Sequence, residues 1–218
     1  RETVTFVTTI INREINAATD NPLLFSPQAA LSGGNFHGEL VGMAMDYLSI
    51  AFSELSGVSE RRIFRMTDAN LNLSLPPMLV DTPQAAGLNS GMMMLQYTAV
   101  SLALENKTLA SPDSTHSLPT SAEQEDHNAN SMTAARHARE VVLNSAHVLA
   151  IELYTAARAL DLRLRQDPDV TLGQGTGKAY QKIREIVVYQ PGDAWWGPEI
   201  EKVRCLILNN KLEFTDKY

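Results

Sequence analysis

Two short stretches hold most of the side chains with chemistry to offer. "SGGNFHGE" (Ser32 to Glu39) sets three glycines, an amide, a phenyl ring, an imidazole and a carboxylate within eight positions, a pliant backbone beside one aromatic ring. "EQEDH" (Glu123 to His127) packs three acids, an amide and a second imidazole into five positions. Holding a metal ion is one use for such a run, yet neighbouring positions point to different faces of a helix, so these side chains do not converge on one ion. No His-Glu-x-x-His occurs either. The plainer reading is a solvated helix start, with acids beside the amide dipoles of the first turn. "GQGTGK" (Gly173 to Lys178) looks like a phosphate cradle, but a P-loop requires glycine where Leu172 stands and Ser or Thr where Ala179 stands. It reads as a linker. Met92 to Met94 read as core, His137 and His147 as surface or internally satisfied groups, and Trp195 with Trp196 as the anchor of the last helices.

The elements that position these residues belong to an ordinary globular chain of 218 residues, 44% hydrophobic and long enough to bury a sizeable core. Lys and Arg number 18 against 25 Asp and Glu, and the formal charge of -7 argues against a nucleic-acid grip or an anionic membrane surface, both of which need clustered cations. The single cysteine, Cys205, cannot form an internal disulfide, which fits a reducing cytoplasm and predicts a buried structural thiol. The richest apolar run, "GMMMLQYTAVSLALE", is interrupted by Gln96, Thr98 and Ser101, so no bilayer span is expected and a soluble protein is. Arg1 is not an initiator methionine, and neither a signal-peptide pattern nor an N-cap residue precedes the first patterned segment. The chain is expected to be a piece of something longer.

Periodicity is mostly helical, and the predicted fold class is all-α, a set of long helices with smaller helices at the C-terminus. Phe36, Leu40, Met43, Tyr47, Leu48, Ala51 and Leu55 recur every three or four positions and predict one stripe on a long helix running towards Met66. Leu88 to Leu109 is apolar nearly all round and predicts an interior helix. Val142, Ala146, Leu149, Leu153, Ala156, Leu160 and Leu164 predict a third stripe on a long helix that starts near Ser131. The opening "RETVTFVTTIINREINAA" suits helix by length, although its β-branched residues also suit a strand. "TDNPLLFSPQ", the loop from Thr67 to Gly87 with Pro76, Pro77 and Pro83, and "SPDSTHSLPTS" separate the helices, and loops of that length tend to be functional. Residues 1–165 are expected to form the long-helix portion. Residues 166–218 are expected to form a linker with two short helices, near Ala179 to Val188 and Pro198 to Asn209.

Seven segments occur in order: "NREINAATDNPLLF", "SGGNFHGE", "ELSGVSERRI", "LPPMLV", "GLNSGMMM", "SLALENK" and "PTSAEQEDH". Together they closely resemble the histidine and aromatic amino-acid ammonia-lyases, strongly over residues 1–165 and weakly beyond, and they align with the second half of that family's subunit. The resemblance implies the L-aspartase-like helical fold, a homotetramer, and the loss of ammonia from an amino acid to give an α,β-unsaturated acid, urocanate when the substrate is histidine. It also implies the electrophile 4-methylideneimidazole-5-one (MIO), formed from an internal Ala-Ser-Gly, with no external cofactor and no metal. The Ser-Gly pairs here, Ser32-Gly33, Ser56-Gly57 and Ser90-Gly91, follow Leu31, Leu55 and Asn89, so no Ala-Ser-Gly is present. By resemblance the family's tyrosine base and substrate-carboxylate arginine precede Arg1, and the chain alone is expected to be inactive without its N-terminal half.

The same resemblance makes Phe36 a substrate contact beside the electrophile, with Gly33 and Gly34 allowing close or left-handed backbone. Asn21, Asn35, His37 and Gln124 become active-site supports, though for Asn21 an Asx turn before Pro22 is the favoured reading. Glu125 becomes the carboxylate that meets the substrate ring and acts in catalysis, because histidine lyases carry glutamate where phenylalanine and tyrosine lyases carry an amide. The pattern departs from the family at Glu123, where asparagine is usual, and at Asn128 to Ser131. A phenylalanine or tyrosine lyase or aminomutase, and a non-catalytic helical assembly fragment, stay open as alternatives.

Overall fold

The computed structural model describes residues 1–81 and 87–212; Pro83 therefore lies outside the described residues. In chain order the elements are α1 (Glu2–Ile15), a hairpin of β1 (Leu23–Ser26) and β2 (Ala29–Leu31), a 3-10 turn (Asn35–His37), α2 (Glu39–Thr67), a 3-10 turn (Pro77–Leu79), α3 (Met93–Leu109), α4 (Ser131–Gln166), α5 (Gln174–Ile186) and α6 (Gly197–Leu208). The fold is all-α in kind, and the only sheet among the described residues is that antiparallel hairpin. Sequence patterning left it as a turn; Leu-Leu-Phe before Ser26-Pro27 is a short strand-and-turn signal hidden inside a proline-bounded loop. Contacts gather the chain into two compact units, Arg1–Glu54 with Glu105–Leu143, and Leu55–Leu104 with Asn144–Tyr218.

The second unit holds the main apolar core, where Ile63, Leu79, Met92, Leu95, Val148, Ile151, Tyr154, Ile183, Val187 and Trp196 pack together. Arg158, only 1% exposed, lies within it: its Nε donates to Leu79 O at 2.9 Å, its Nη1 to Gln190 O at 2.8 Å, and its guanidinium faces the rings of Tyr189 and Trp196. The Asp193 carboxylate accepts from the backbone N–H groups of Ser90 (2.7 Å) and Gly91 (2.8 Å). Gly91, at φ +57, admits no side chain, since a Cβ would stand 2.3 Å from Met78 O.

The helices form where periodicity puts them, but their buried faces are not the expected ones. On α2 the buried line is Gly42, Asp46, Ser49, Ser53, Ser56, Glu60, Ile63 and Thr67, while Leu40, Met43, Tyr47, Ile50, Leu55 and Val58 are exposed. The apolar stripe thus faces outward and the small, polar face inward, the reverse of an ordinary amphipathic helix. Small residues let neighbouring backbone approach, as at Gly42, where a Cβ would lie 3.0 Å from Ala129 O. On α4, free of Gly and Pro and roughly 54 Å long for its 36 residues, the most buried line runs through Ala134, Ala138, Val141, Ser145, Val148, Ile151, Thr155, Arg158 and Leu162. That line lies about one position from the predicted stripe, of which Leu149 is exposed. Leu88 precedes α3 and is exposed, and Met94, Tyr97 and Leu104 on that helix are exposed as well.

Three smaller expectations are corrected. Gly175 to Lys178 lie inside α5 rather than in a linker, because Gly173 O already accepts from Gly177 N. Trp196 is buried at 8% exposure, but Trp195 is 84% exposed and anchors nothing among the described residues. Cys205 is exposed, not buried. No helix among the described residues is long and apolar enough to cross a membrane.

Candidate active site

The first unit brings the two chemistry-bearing stretches together. "SGGNFHGE" becomes a one-turn 3-10 segment at Asn35–His37, capped by Gly38 at φ +72, before α2 begins at Glu39. The glycine that matters is Gly38, and not Gly33 or Gly34 as expected: a Cβ on either of those meets nothing within 4 Å, whereas one on Gly38 would stand 3.0 Å from Ser131 Oγ at a left-handed φ. Phe36, 38% exposed, lines an open cleft of about 370 Å³ with Ile11, Glu14, Ile15, Thr19, Asn35, Gly38 and Val41. Asn35 Nδ2 donates to Glu14 Oε2 at 3.2 Å, which fixes the turn against α1.

Asn21 does not close an Asx turn. Its Oδ1 accepts from the Ser32 hydroxyl at 2.9 Å and from Gly33 N at 3.1 Å, so it ties the far end of the hairpin to the start of the glycine stretch. Local spacing favoured the turn because partners 11 and 12 residues away are invisible to it.

"EQEDH" is not a helix start. Thr120 and Glu125 pair through two backbone hydrogen bonds, Thr120 N to Glu125 O at 2.8 Å and Glu125 N to Thr120 O at 3.2 Å. The enclosed turn puts Ser121, Ala122 and Glu123 at φ 52, 54 and 70. Three consecutive side-chain-bearing residues in the left-handed region cost on the order of 1 kcal/mol each, a strain that concentrates at functional sites. Gln124 is exposed on this turn and its N–H donates to Ser121 O. Glu125 is half-buried, and among the described residues none hydrogen-bonds its carboxylate.

Beyond Glu125 the backbone is fixed repeatedly. His127 Nε2 lies 3.0 Å from Glu39 Oε2, and Asn128 N donates to Ser117 Oγ at 2.9 Å. Asn130, at φ 50, donates from Nδ2 to Asp113 O (3.2 Å) and His116 O (2.7 Å) just before α4. Buried Asp46 of α2 accepts from the N–H groups of Asp113 (3.1 Å) and Ser114 (3.0 Å), and His137 Nδ1 stands 2.8 Å from Asp113 Oδ2. Ring contacts link the two stretches: Phe36 to His37 at 4.0 Å between centroids, and His37 to His127 edge-on at 5.3 Å.

The structure therefore joins Phe36, His37, His127 and Glu39, joins Asn35 to Glu14 and Asn21 to Ser32 and Gly33, and leaves Gln124 bonded within its own turn. Sequence reasoning missed Glu14, Glu39, Asp46 and His127. The last residue of each quoted stretch, Glu39 and His127, was the available signal, since a carboxylate and an imidazole are natural partners. Among the described residues no group of three or more His, Cys, Asp and Glu is placed to hold a metal ion. Each Ser-Gly pair has a definite place in the structure. Ser32 and Gly33 are bound to Asn21, Ser56 and Gly57 lie within α2, and Ser90 and Gly91 are bound to Asp193. What the chain offers is a wall of side chains, with an aromatic ring on a cleft and, on the turn that Thr120 closes, a half-buried carboxylate.

A mostly helical chain carrying such a wall fits a class of helical lyases. The pattern of the family described as aromatic amino acid lyase matches residues 1–185, and the chain belongs to that family. It is 47% identical over 204 residues to a histidine ammonia-lyase of Natranaerobius thermophilus, covering 93% of this chain and 39% of that protein. Among solved structures it is similar to histidine ammonia-lyase from Trypanosoma cruzi, with a TM-score of 0.86 at 37% identity over 97% of this chain and 40% of that one. It is also similar to tyrosine aminomutase from Streptomyces globisporus, with a TM-score of 0.86 at 33% identity over 97% and 39%. The chain spans about two-fifths of the length of the curated relatives it matches.

Proposed function

We propose that the complete protein carrying this chain eliminates ammonia from L-histidine to give urocanate, and that this chain supplies the wall of the pocket that meets the imidazole ring. In that reaction the bond from Cα to nitrogen breaks, a Cβ proton leaves and the Cα–Cβ double bond forms. MIO, built from sequence outside this chain, supplies the electrophile that makes the amine a better leaving group. Phe36 presents its ring to the substrate from the cleft floor, Glu125 accepts a hydrogen bond from the imidazole and biases its protonation, and Asn35 and His37 hold the Phe36 turn. The observation that carries the reading is Glu125, fixed on a strained turn with its carboxylate unclaimed among the described residues. The similarity to histidine ammonia-lyases supports the choice of histidine.

The outward apolar side of α2 supports a homotetramer, since Leu40, Met43, Tyr47 and Ile50 need a cover. A cytoplasmic setting accords with one unpaired cysteine. The test is Glu125→Gln in the complete protein, assayed for kcat/KM with histidine, phenylalanine and tyrosine. Histidine turnover falls on the order of a hundredfold; unchanged histidine kinetics would sink the ring-contact role.

A further inference from the structure

Glu39 opens α2 three residues after Phe36, and His127 follows Glu125 by two. Their side chains meet at 3.0 Å, and the ring of His37 lies between Phe36 and His127, at 4.0 Å from one and 5.3 Å from the other. The contacts form a closed path from Phe36 through His37 and His127 to Glu39, and from there back along the backbone to Phe36. A pair whose side chains are 43% and 36% exposed adds little to stability. What such a pair fixes is direction. An edge-on neighbour on one side and an oxygen at Nε2 hold the His127 ring in one orientation, and the bridge to Thr120 holds the backbone of Glu125 itself.

We propose that Glu39 and His127 are positioning residues that set the Glu125 carboxylate relative to the Phe36 ring, and so set the preference for an imidazole over a benzene ring. This rests on Glu125 as the ring contact. A carboxylate displaced by about 1 Å loses on the order of a hundredfold in rate, while an apolar ring that asks nothing of the carboxylate is hardly affected.

The experiment uses the complete protein with His127→Ala, Glu39→Ala, both together, and His127→Gln, which keeps a donor for Glu39. Two quantities are read: kcat/KM for histidine against phenylalanine, and the calorimetric Kd of 3-(imidazol-4-yl)propanoate, an unreactive imidazole acid. Each alanine variant lowers the histidine-to-phenylalanine ratio and weakens imidazole-acid binding by ten- to a hundredfold. The double variant is no worse than the worse single one, and His127→Gln recovers most of the loss. In a Glu125→Gln background His127→Ala costs less than about twofold in Kd, because nothing is left to position. An equal loss in both backgrounds, or simple addition of the two single losses, overturns the positioning role and leaves Glu125 as ring contact. Glu125→Gln without effect on histidine overturns both. If His127→Ala does not fold, Glu39→Ala and its Glu125→Gln double decide the question by the same Kd comparison.

Discussion

Replacing Asn130 with alanine removes two hydrogen bonds, from Nδ2 to Asp113 O and His116 O, and places at φ 50 a side chain without the polar group that makes a left-handed backbone tolerable. Each lost bond costs about 1 kcal/mol net. The left-handed conformation costs alanine about 1 kcal/mol more than it costs asparagine or glycine. The sum is about 3 kcal/mol for Asn130→Ala and about 2 kcal/mol for Asn130→Gly, which loses the same bonds without the backbone penalty. Urea unfolding followed by circular dichroism, at fixed protein concentration and with unchanged slope, gives both values. Glycine as damaging as alanine would remove the backbone part of the reasoning. A loss below about 0.5 kcal/mol in both variants would refute the claim that Asn130 fastens the 113–116 loop to the start of α4.

Two further perturbations probe the second unit. Arg158→Met leaves the carbonyls of Leu79 and Gln190 without their donor inside the core, and should destabilise by about 3 kcal/mol or more, read as a lowered denaturation midpoint; a neutral result would mean water or other donors take over. The pKa of His147 is held below the ordinary imidazole value of 6.5 by burial first and by Arg204 second, with Glu201 pulling the other way. The folded chain thus favours the neutral ring and the unfolded chain binds the extra proton. The contribution is complete above about pH 6.5 and is lost as pH falls through the ordinary value towards the depressed one. His147→Leu should flatten stability between roughly pH 5 and 7; a slope equal to that of the parent chain would contradict the assignment.

The helices were legible because their periodicity runs for many turns: α4 begins at Ser131 as its freedom from Gly and Pro foretold. Their facing was not. Apolar residues on α2 and α4 fill more than one stripe, and a 3.6-residue period does not say which stripe meets neighbours and which is left for another surface. The hairpin at Leu23–Leu31 was missed because its strands are only four and three residues long, on either side of a turn at Pro27 and Gln28. The two quoted stretches do meet in the structure, yet the residues that fasten this region are 88 positions apart for Glu39 and His127 and 67 for Asp46 and Asp113. Such long-range pairing is fixed by tertiary approach, and only a close-packed glycine such as Gly42 hints at it locally.

The inside-out helix α2 inverts the usual expectation of which substitutions a chain forgives. Trading Met43 or Leu55 for serine, damaging by any hydropathy scale, removes little from the packing of this chain itself, where both are more than half exposed. Trading Ser49 or Ser56 for leucine, an improvement by the same scale, forces extra carbons into a contact built for small side chains. Taken within this chain alone, these four variants ranked by hydrophobicity would therefore come out in reverse order.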